Sequence, residues 1–160
     1  MPRQLVRAAW WHRAALGRLA LESKAVWGYD SGFLRACAGD LQVPWLTMLR
    51  GDVFICRNSN HWQGFYAITY GREGAELTHL FVLPRHLGSG VGKRLWTHAV
   101  AQIQRRIPAG ADGMLMIVHS DPHARAFYEH MGAVQVGEAE SAVKPGRKLP
   151  LLHYTVEGSG

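Results

Sequence analysis

Leu77-Thr78-His79-Leu80-Phe81-Val82-Leu83-Pro84-Arg85-His86-Leu87-Gly88-Ser89-Gly90-Val91-Gly92-Lys93-Arg94-Leu95 is the stretch that decides the fold. It opens as an apolar run and stops at Pro84. Glycines then stand at every second position, 88, 90 and 92. From Val91 onward the apolar residues fall at 91, 95, 96, 99 and 100, which is one face of a helix. The reading is strand, glycine loop, helix. Glycines let a backbone pass close to a ligand with its N–H groups turned outward. The helix start adds unpaired N–H groups and about half a positive charge. Together they suit an anion, best a phosphate or pyrophosphate. The alternative reading of the same residues is a tight connection without a ligand. The spacing is neither that of a nucleotide-triphosphatase loop nor Gly-x-Gly-x-x-Gly, and it lies mid-chain rather than in a first βαβ unit.

Before this stretch the chain reads as a short strand at 4–8, a helix over 11–24, and a second helix capped by Asp30 or Ser31 that carries Phe33, Leu34, Cys37 and Leu41. Pro44 ends that region, and 43–51 reads as irregular. Val53–Arg57 and Gly64–Tyr70 form a hairpin about the Asn58-Ser59-Asn60-His61 turn, and Gly71–Gly74 turns into the strand at 75–83. After the helix at roughly 90–106, Met114–Val118 is a continuous apolar run, the pattern of a strand buried on both faces. Asp121-Pro122 opens a helix through Phe127 and Tyr128 that Gly132 closes. Strands at 133–136 and 151–156 end the fold.

Composition excludes several classes. Hydrophobic residues make up 48 % and charged residues 19 %, which is ordinary for a globular domain, and 160 residues suffice for one core. No apolar run approaches the roughly 20 residues a membrane helix needs. Cys37 and Cys56 read as buried free thiols of a reducing compartment, not a disulfide framework. The net charge of +6 favours an anionic ligand, but no basic run of five or more marks a nucleic-acid site. The first twenty residues carry arginines and no acid, as a transit peptide does, yet their helical pattern continues into the fold. His119 and His123 straddle a strand-to-helix turn without a cysteine pair beside them, so no metal site is expected.

Two motifs resemble one family. Phe81-Val82-Leu83-Pro84-x-x-x-Gly88-x-Gly90-Val91-Gly92 resembles the acyl-CoA motif of the GCN5-related N-acetyltransferases, the GNAT superfamily. Asp121-x-x-Ala124-x-x-Phe127-Tyr128-x-x-x-Gly132-Ala133 resembles the second motif of that family, and the order of elements also fits. Ser23-Lys24-Ala25-x-Trp27-Gly28-Tyr29, with Pro145-Gly146-Arg147-x-x-Pro150, is similar to a small uncharacterised branch. Leu87 stands where the family usually has Gln or Arg, Asp121 where Asn is common, and His12 where an acid is frequent.

The resemblance implies one N-acetyltransferase domain over residues 1–160. Its α/β fold has a mixed, mostly antiparallel central sheet flanked by helices and splayed at the two central strands. It implies acetyl-CoA as cosubstrate, with pyrophosphate on the N–H groups of Gly88, Ser89, Gly90, Val91, Gly92 and Lys93. The pantetheine arm would lie along Phe81, Val82 and Leu83, with Asp121 and Phe127 also lining the cofactor site. One strand N–H would stabilise the oxyanion, and Tyr128 would serve the leaving thiolate. A lysine-like amine costs roughly 4–5 kcal/mol to deprotonate at pH 7, so a base is expected. Glu76 is the first candidate, against a solvated strand end; His79 is the second, against a packed core histidine. The implied partner is an amine-bearing small molecule or peptide, in a cytoplasmic setting. No membrane partner is expected, nucleic acid ranks below the amine, and a homodimer through the C-terminal strands is open. Trp27, Tyr29 and Trp45 lie where the family builds its acceptor pocket. The rivals are a non-catalytic acyl-CoA-binding or regulatory domain and, behind it, an RNA-directed enzyme, which salt-sensitive RNA binding would mark.

Overall fold

A pleated strand turns successive side chains to opposite faces, so the consecutive buried residues of 53–56 and 65–68 feed two cores, one on each face of a seven-stranded sheet. The computed structural model describes residues 2–159. The strands are β1 (Gln4–Arg7), β2 (Asp52–Asn58), β3 (His61–Gly71), β4 (Gly74–Val82), β5 (Gly113–His119), β6 (Val134–Glu140) and β7 (Lys148–Glu157). The helices are α1 (Arg13–Ala25), α2 (Ser31–Leu41), α3 (Trp45–Arg50), α4 (Val91–Arg106) and α5 (Arg125–His130). The sheet order is β1-β2-β3-β4-β5-β7-β6. Every neighbouring pair is antiparallel except β4 with β5. Two cores cover its two faces. Leu95, Trp96 and Ile103 of α4 pack with Met116, Val118 and Tyr128 on one face. Leu16 and Leu19 of α1 pack with Cys37, Ile55, Phe65 and Ala67 on the other.

The expected splay between the central strands is present. β4 and β5 pair only at Ala75↔Met116 and Glu76↔Ile117. Beyond that, β4 follows β3 as far as Gly64↔Val82, and β5 follows β7 as far as His119↔Leu151. A gap therefore opens between them toward the glycine loop.

Asp30 caps α2 by accepting from the Phe33 N–H at 2.7 Å. Residues 45–50 are helical rather than irregular: Pro44 precedes the first turn, where its missing N–H costs nothing. Trp45, Leu46 and Leu49 stay exposed, so α3 shows no buried stripe for a periodicity reading to find. β5 is not buried on both faces. Met116 and Val118 are buried, while Leu115 and Ile117 are only half-buried, because α1 packs over β4 instead. The helix expected after Asp121 begins as a 3-10 turn at Pro122–Ala124. β6 and β7 run longer than their apolar centres because their hairpin arms carry charges at Glu138, Glu140 and Lys148. Both cysteines are free and buried.

Candidate active site

The gap wall is set by one bulge. Ala67 pairs with His79 and Ile68 with Leu77, so Thr78 is the extra residue in β4. Beyond it the ladder alternates. Leu83 donates to the Gln63 carbonyl at 2.9 Å, which makes Gly64↔Val82 a non-hydrogen-bonded pair. Leu80 and Val82 therefore turn their backbone groups toward the gap, and Phe81 spends its own on β3. The Val82 carbonyl is already held by the Ser23 hydroxyl at 2.8 Å, which leaves its N–H facing the gap. Leu80 was absent from the sequence expectation because the bulge that sets the alternation has no local signal.

The glycine loop lies at the end of β4. Gly88 and Gly90 have φ of 75° and 88°, and Gly90 is the N-cap of α4 without a side-chain cap. Arg94 donates to the Gly90 carbonyl. The N–H groups of Gly88, Gly90, Val91, Gly92 and Lys93 have no partner among the described residues. Ser89 differs from expectation: its N–H and hydroxyl both donate to the His86 carbonyl, and its own carbonyl accepts from Arg3 at 2.7 Å. Arg94 in turn donates to the Arg3 carbonyl. The loop is thus braced by cations. Partial burial, with Arg85 and Arg3 nearby, holds the His86 imidazole below its ordinary pKa. At Gly92 a Cβ would come within 3.3 Å of the Phe127 ring, so the glycine lets α4 approach α5.

Tyr128 is buried against Trp96 and Phe127, with ring centroids 5.9 and 5.4 Å away. Its hydroxyl has no hydrogen-bond partner among the described residues. Burial, and then the Asp121 charge, push its pKa well above that of an ordinary phenol. It remains a neutral donor at any physiological pH.

The two base candidates part company. Glu76 is half-exposed, and its carboxylate lies 3.0 Å from His119 Nδ1. An ionised carboxylate only accepts, so Nδ1 carries the proton and Nε2 is the nitrogen left for chemistry. Sequence reading weighs His119 only as a metal ligand with His123, because it looks like the last residue of an apolar strand and its Glu76 partner is 43 positions away. His79 instead lies in the core. Nε2 donates to the Leu41 carbonyl at 3.1 Å, and Nδ1 accepts from the Thr78 hydroxyl at 2.8 Å. Burial pushes its pKa down to about 4, against the opposing pull of the Leu41 hydrogen bond. The unfolded chain takes up this proton near pH 6.5 and the folded chain only near 4. Stability therefore declines as pH falls through that window, by about 3 kcal/mol at most. Replacing His79 by Gln removes this part of the decline, as urea unfolding at pH 7 and pH 4.5 would report; equal losses in both proteins would refute it.

Asp121 anchors the opposite side of the gap. Its carboxylate accepts from Lys24 Nζ at 3.0 Å, the Tyr29 hydroxyl at 2.9 Å and the His123 N–H at 2.9 Å. Burial alone would raise its pKa, but hydrogen bonds from His123 and Lys24 and the Lys24 charge lower it to about 2. Arg147 lies 3.6 Å from the same carboxylate and donates to the Tyr29 hydroxyl at 2.6 Å. A carboxylate held this way orders its neighbours: its oxygens are taken by Lys24, Tyr29 and His123.

Comparison with known proteins gives a consistent picture. A family model described as an acetyltransferase (GNAT) domain matches residues 48–145. The PaiA N-acetyltransferase of Thermoplasma acidophilum, solved in complex with coenzyme A, superposes with a TM-score of 0.74 at 15 % identity, covering 97 % of this chain and 99 % of that one. YncA of Salmonella typhimurium, a putative acetyltransferase solved with acetyl-CoA, gives 0.66 at 16 % identity, covering 100 % and 97 %. The ribosomal-protein-S18-alanine N-acetyltransferase of Escherichia coli gives 0.68 at 16 % identity, covering 99 % and 97 %. At these identities the likeness is one of fold.

Proposed function

The chain belongs to the GNAT acetyltransferase family, and from that premise we propose how it moves an acetyl group from acetyl-CoA to an amine. The observation that carries the reading is the row of unpartnered N–H groups at 88 and 90–93 beside the open edge of β4. Diphosphate takes the row, where backbone donors, the α4 dipole and the surrounding cations act together. The arm runs along Leu80 and Val82 into the gap. A β4 N–H facing the gap polarises the thioester carbonyl and stabilises the oxyanion.

His119 Nε2 accepts the amine proton, directly or through a water, and Glu76 holds the ring. An imidazole ordinarily titrates near neutrality and suits this work better than a carboxylate. The amine nitrogen bonds to the carbonyl carbon, the tetrahedral adduct collapses, and the carbon–sulfur bond breaks. Tyr128 is placed as donor to the departing sulfur. A phenol near 10 is already uphill of a thiol near 8.5 by roughly 2 kcal/mol, and burial moves Tyr128 further in that direction. Its role is therefore a hydrogen bond to developing thiolate, with solvent completing the protonation. His79 stays a packing residue. No helix among the described residues is long and apolar enough to cross a membrane, and two free thiols suit the cytoplasm.

The test is calorimetric titration with acetyl-CoA followed by thiol release with an amine panel. Tyr128→Phe lowers kcat by about tenfold to a hundredfold, the size of one charge-assisted hydrogen bond, and leaves acetyl-CoA affinity within twofold. Binding without turnover in the wild type would favour the regulatory-domain alternative.

A further inference from the structure

The face of the sheet opposite α4 and α5 carries an unbalanced charge. Lys24 and Arg147 converge on one carboxylate, Asp121, at 3.0 and 3.6 Å. All three side chains are largely enclosed, with 13, 18 and 15 % of their surface exposed. Two cations against one carboxylate leave one positive charge over. Of the acids near them in the chain, Glu22 pairs with Arg85, Glu129 pairs with Arg125, and Asp30 caps the start of α2. A partly desolvated charge without a counterion is costly, so the site favours an anion.

Donors are available for it. Arg147 turns only Nη2 to Tyr29 and Asp121, so Nε and Nη1 have no partner among the described residues. Lys24 uses one of its three N–H groups. Tyr29 and Phe33 wall the cations, with Arg147 Cζ 5.2 and 5.0 Å from their ring centroids. Phe33 packs on the α1–α2 core and Val91 on the α4 core, so this cluster and the glycine loop lie on opposite faces. The cluster also lies close to the proton acceptor: Asp121 follows His119 by two residues, a span of at most roughly 7 Å.

We propose that the acceptor is an amine carrying an anionic group, carboxylate or phosphate, a few bonds from its nitrogen. Lys24 and Arg147 take the anion while the amine reaches His119. This rests on the transferase reading and names its substrate class.

The test is NMR titration of the protein saturated with coenzyme A, which occupies the glycine loop and removes it from competition. The probes are glutarate, propyl phosphate and the neutral glutaramide. The expected result is a saturable shift of the Trp27 indole and Arg147 Nε–H signals with at least one anion, and none with glutaramide. The anion that binds more tightly names the group. Arg147→Met weakens that binding at least fivefold, read at Trp27, and Arg147→Lys recovers part of it. No saturable shift with either anion, an equal response to glutaramide, or binding unchanged in Arg147→Met overturns the proposal. The preceding coenzyme A titration is read separately: its failure removes the transferase reading, whereas coenzyme binding without an anion response removes only the acceptor class.

Discussion

Gly90→Glu abolishes acetyl-CoA binding in a protein that still folds. The position has φ of 88°, and a Cβ there has room, with Arg3 Nη1 the nearest atom at 3.7 Å. The cost to folding is then backbone strain, about 1–3 kcal/mol, against a typical stability of 5–15 kcal/mol. The cost to binding is larger. The new carboxylate enters the row of N–H donors at the head of α4, caps them, and repels the diphosphate they would hold. A loss of at least about 3 kcal/mol, a hundredfold or more in Kd, is expected by calorimetry. Gly90→Asn is the control, since Asn tolerates the left-handed region and adds no charge; it should bind within a few fold of wild type. Wild-type affinity in Gly90→Glu would move the anion seat away from the loop.

Removal of the proton acceptor has the second large effect. His119→Gln lowers kcat/KM at pH 7 by about a hundredfold to a thousandfold, within the usual range for general-base catalysis. Glu76→Gln still offers an amide oxygen to Nδ1–H and costs about tenfold. The two variants therefore separate the residue that takes the proton from the one that orients it. Their pH dependence gives an independent reading. An amine of pKa about 10.4 becomes a hundredfold more available as free base between pH 7 and pH 9. The His119→Gln defect should shrink across that interval. A defect equal in both variants and constant with pH would show that the pair only ties β4 to β5.

The central strand, loop and helix were legible because each depends on local chemistry: Pro84 as a stop, glycines at the turn, an apolar stripe at 91, 95, 96 and 99. The Asp30 and Asp121 caps were legible for the same reason. What stayed hidden is long-range. Thr78 is one residue among nine in β4 until its pairing with Ala67 and Ile68 shows it as a bulge. That bulge decides that Leu80 and Val82, not Phe81, face the gap. His119 gained its place only when β5 brought it to Glu76, 43 positions away. Lys24, Tyr29 and Arg147 were visible as two separated motifs, yet nothing in either announces a shared carboxylate. α3 was missed because half of its residues are exposed and apolar, so polarity gave no period.

The Ser23 hydrogen bond to the Val82 carbonyl has a consequence for how the two substrates bind. It joins the strand that receives the cofactor arm to the end of α1, and Lys24 is the next residue. An arm seated on Val82 would stiffen that strand and, through Ser23, the backbone from which Lys24 reaches Asp121. The second substrate then meets a side already ordered and loses less conformational freedom on arrival. The expected outcome is positive cooperativity: coenzyme A bound first should lower the Kd of the acceptor, as calorimetry would report.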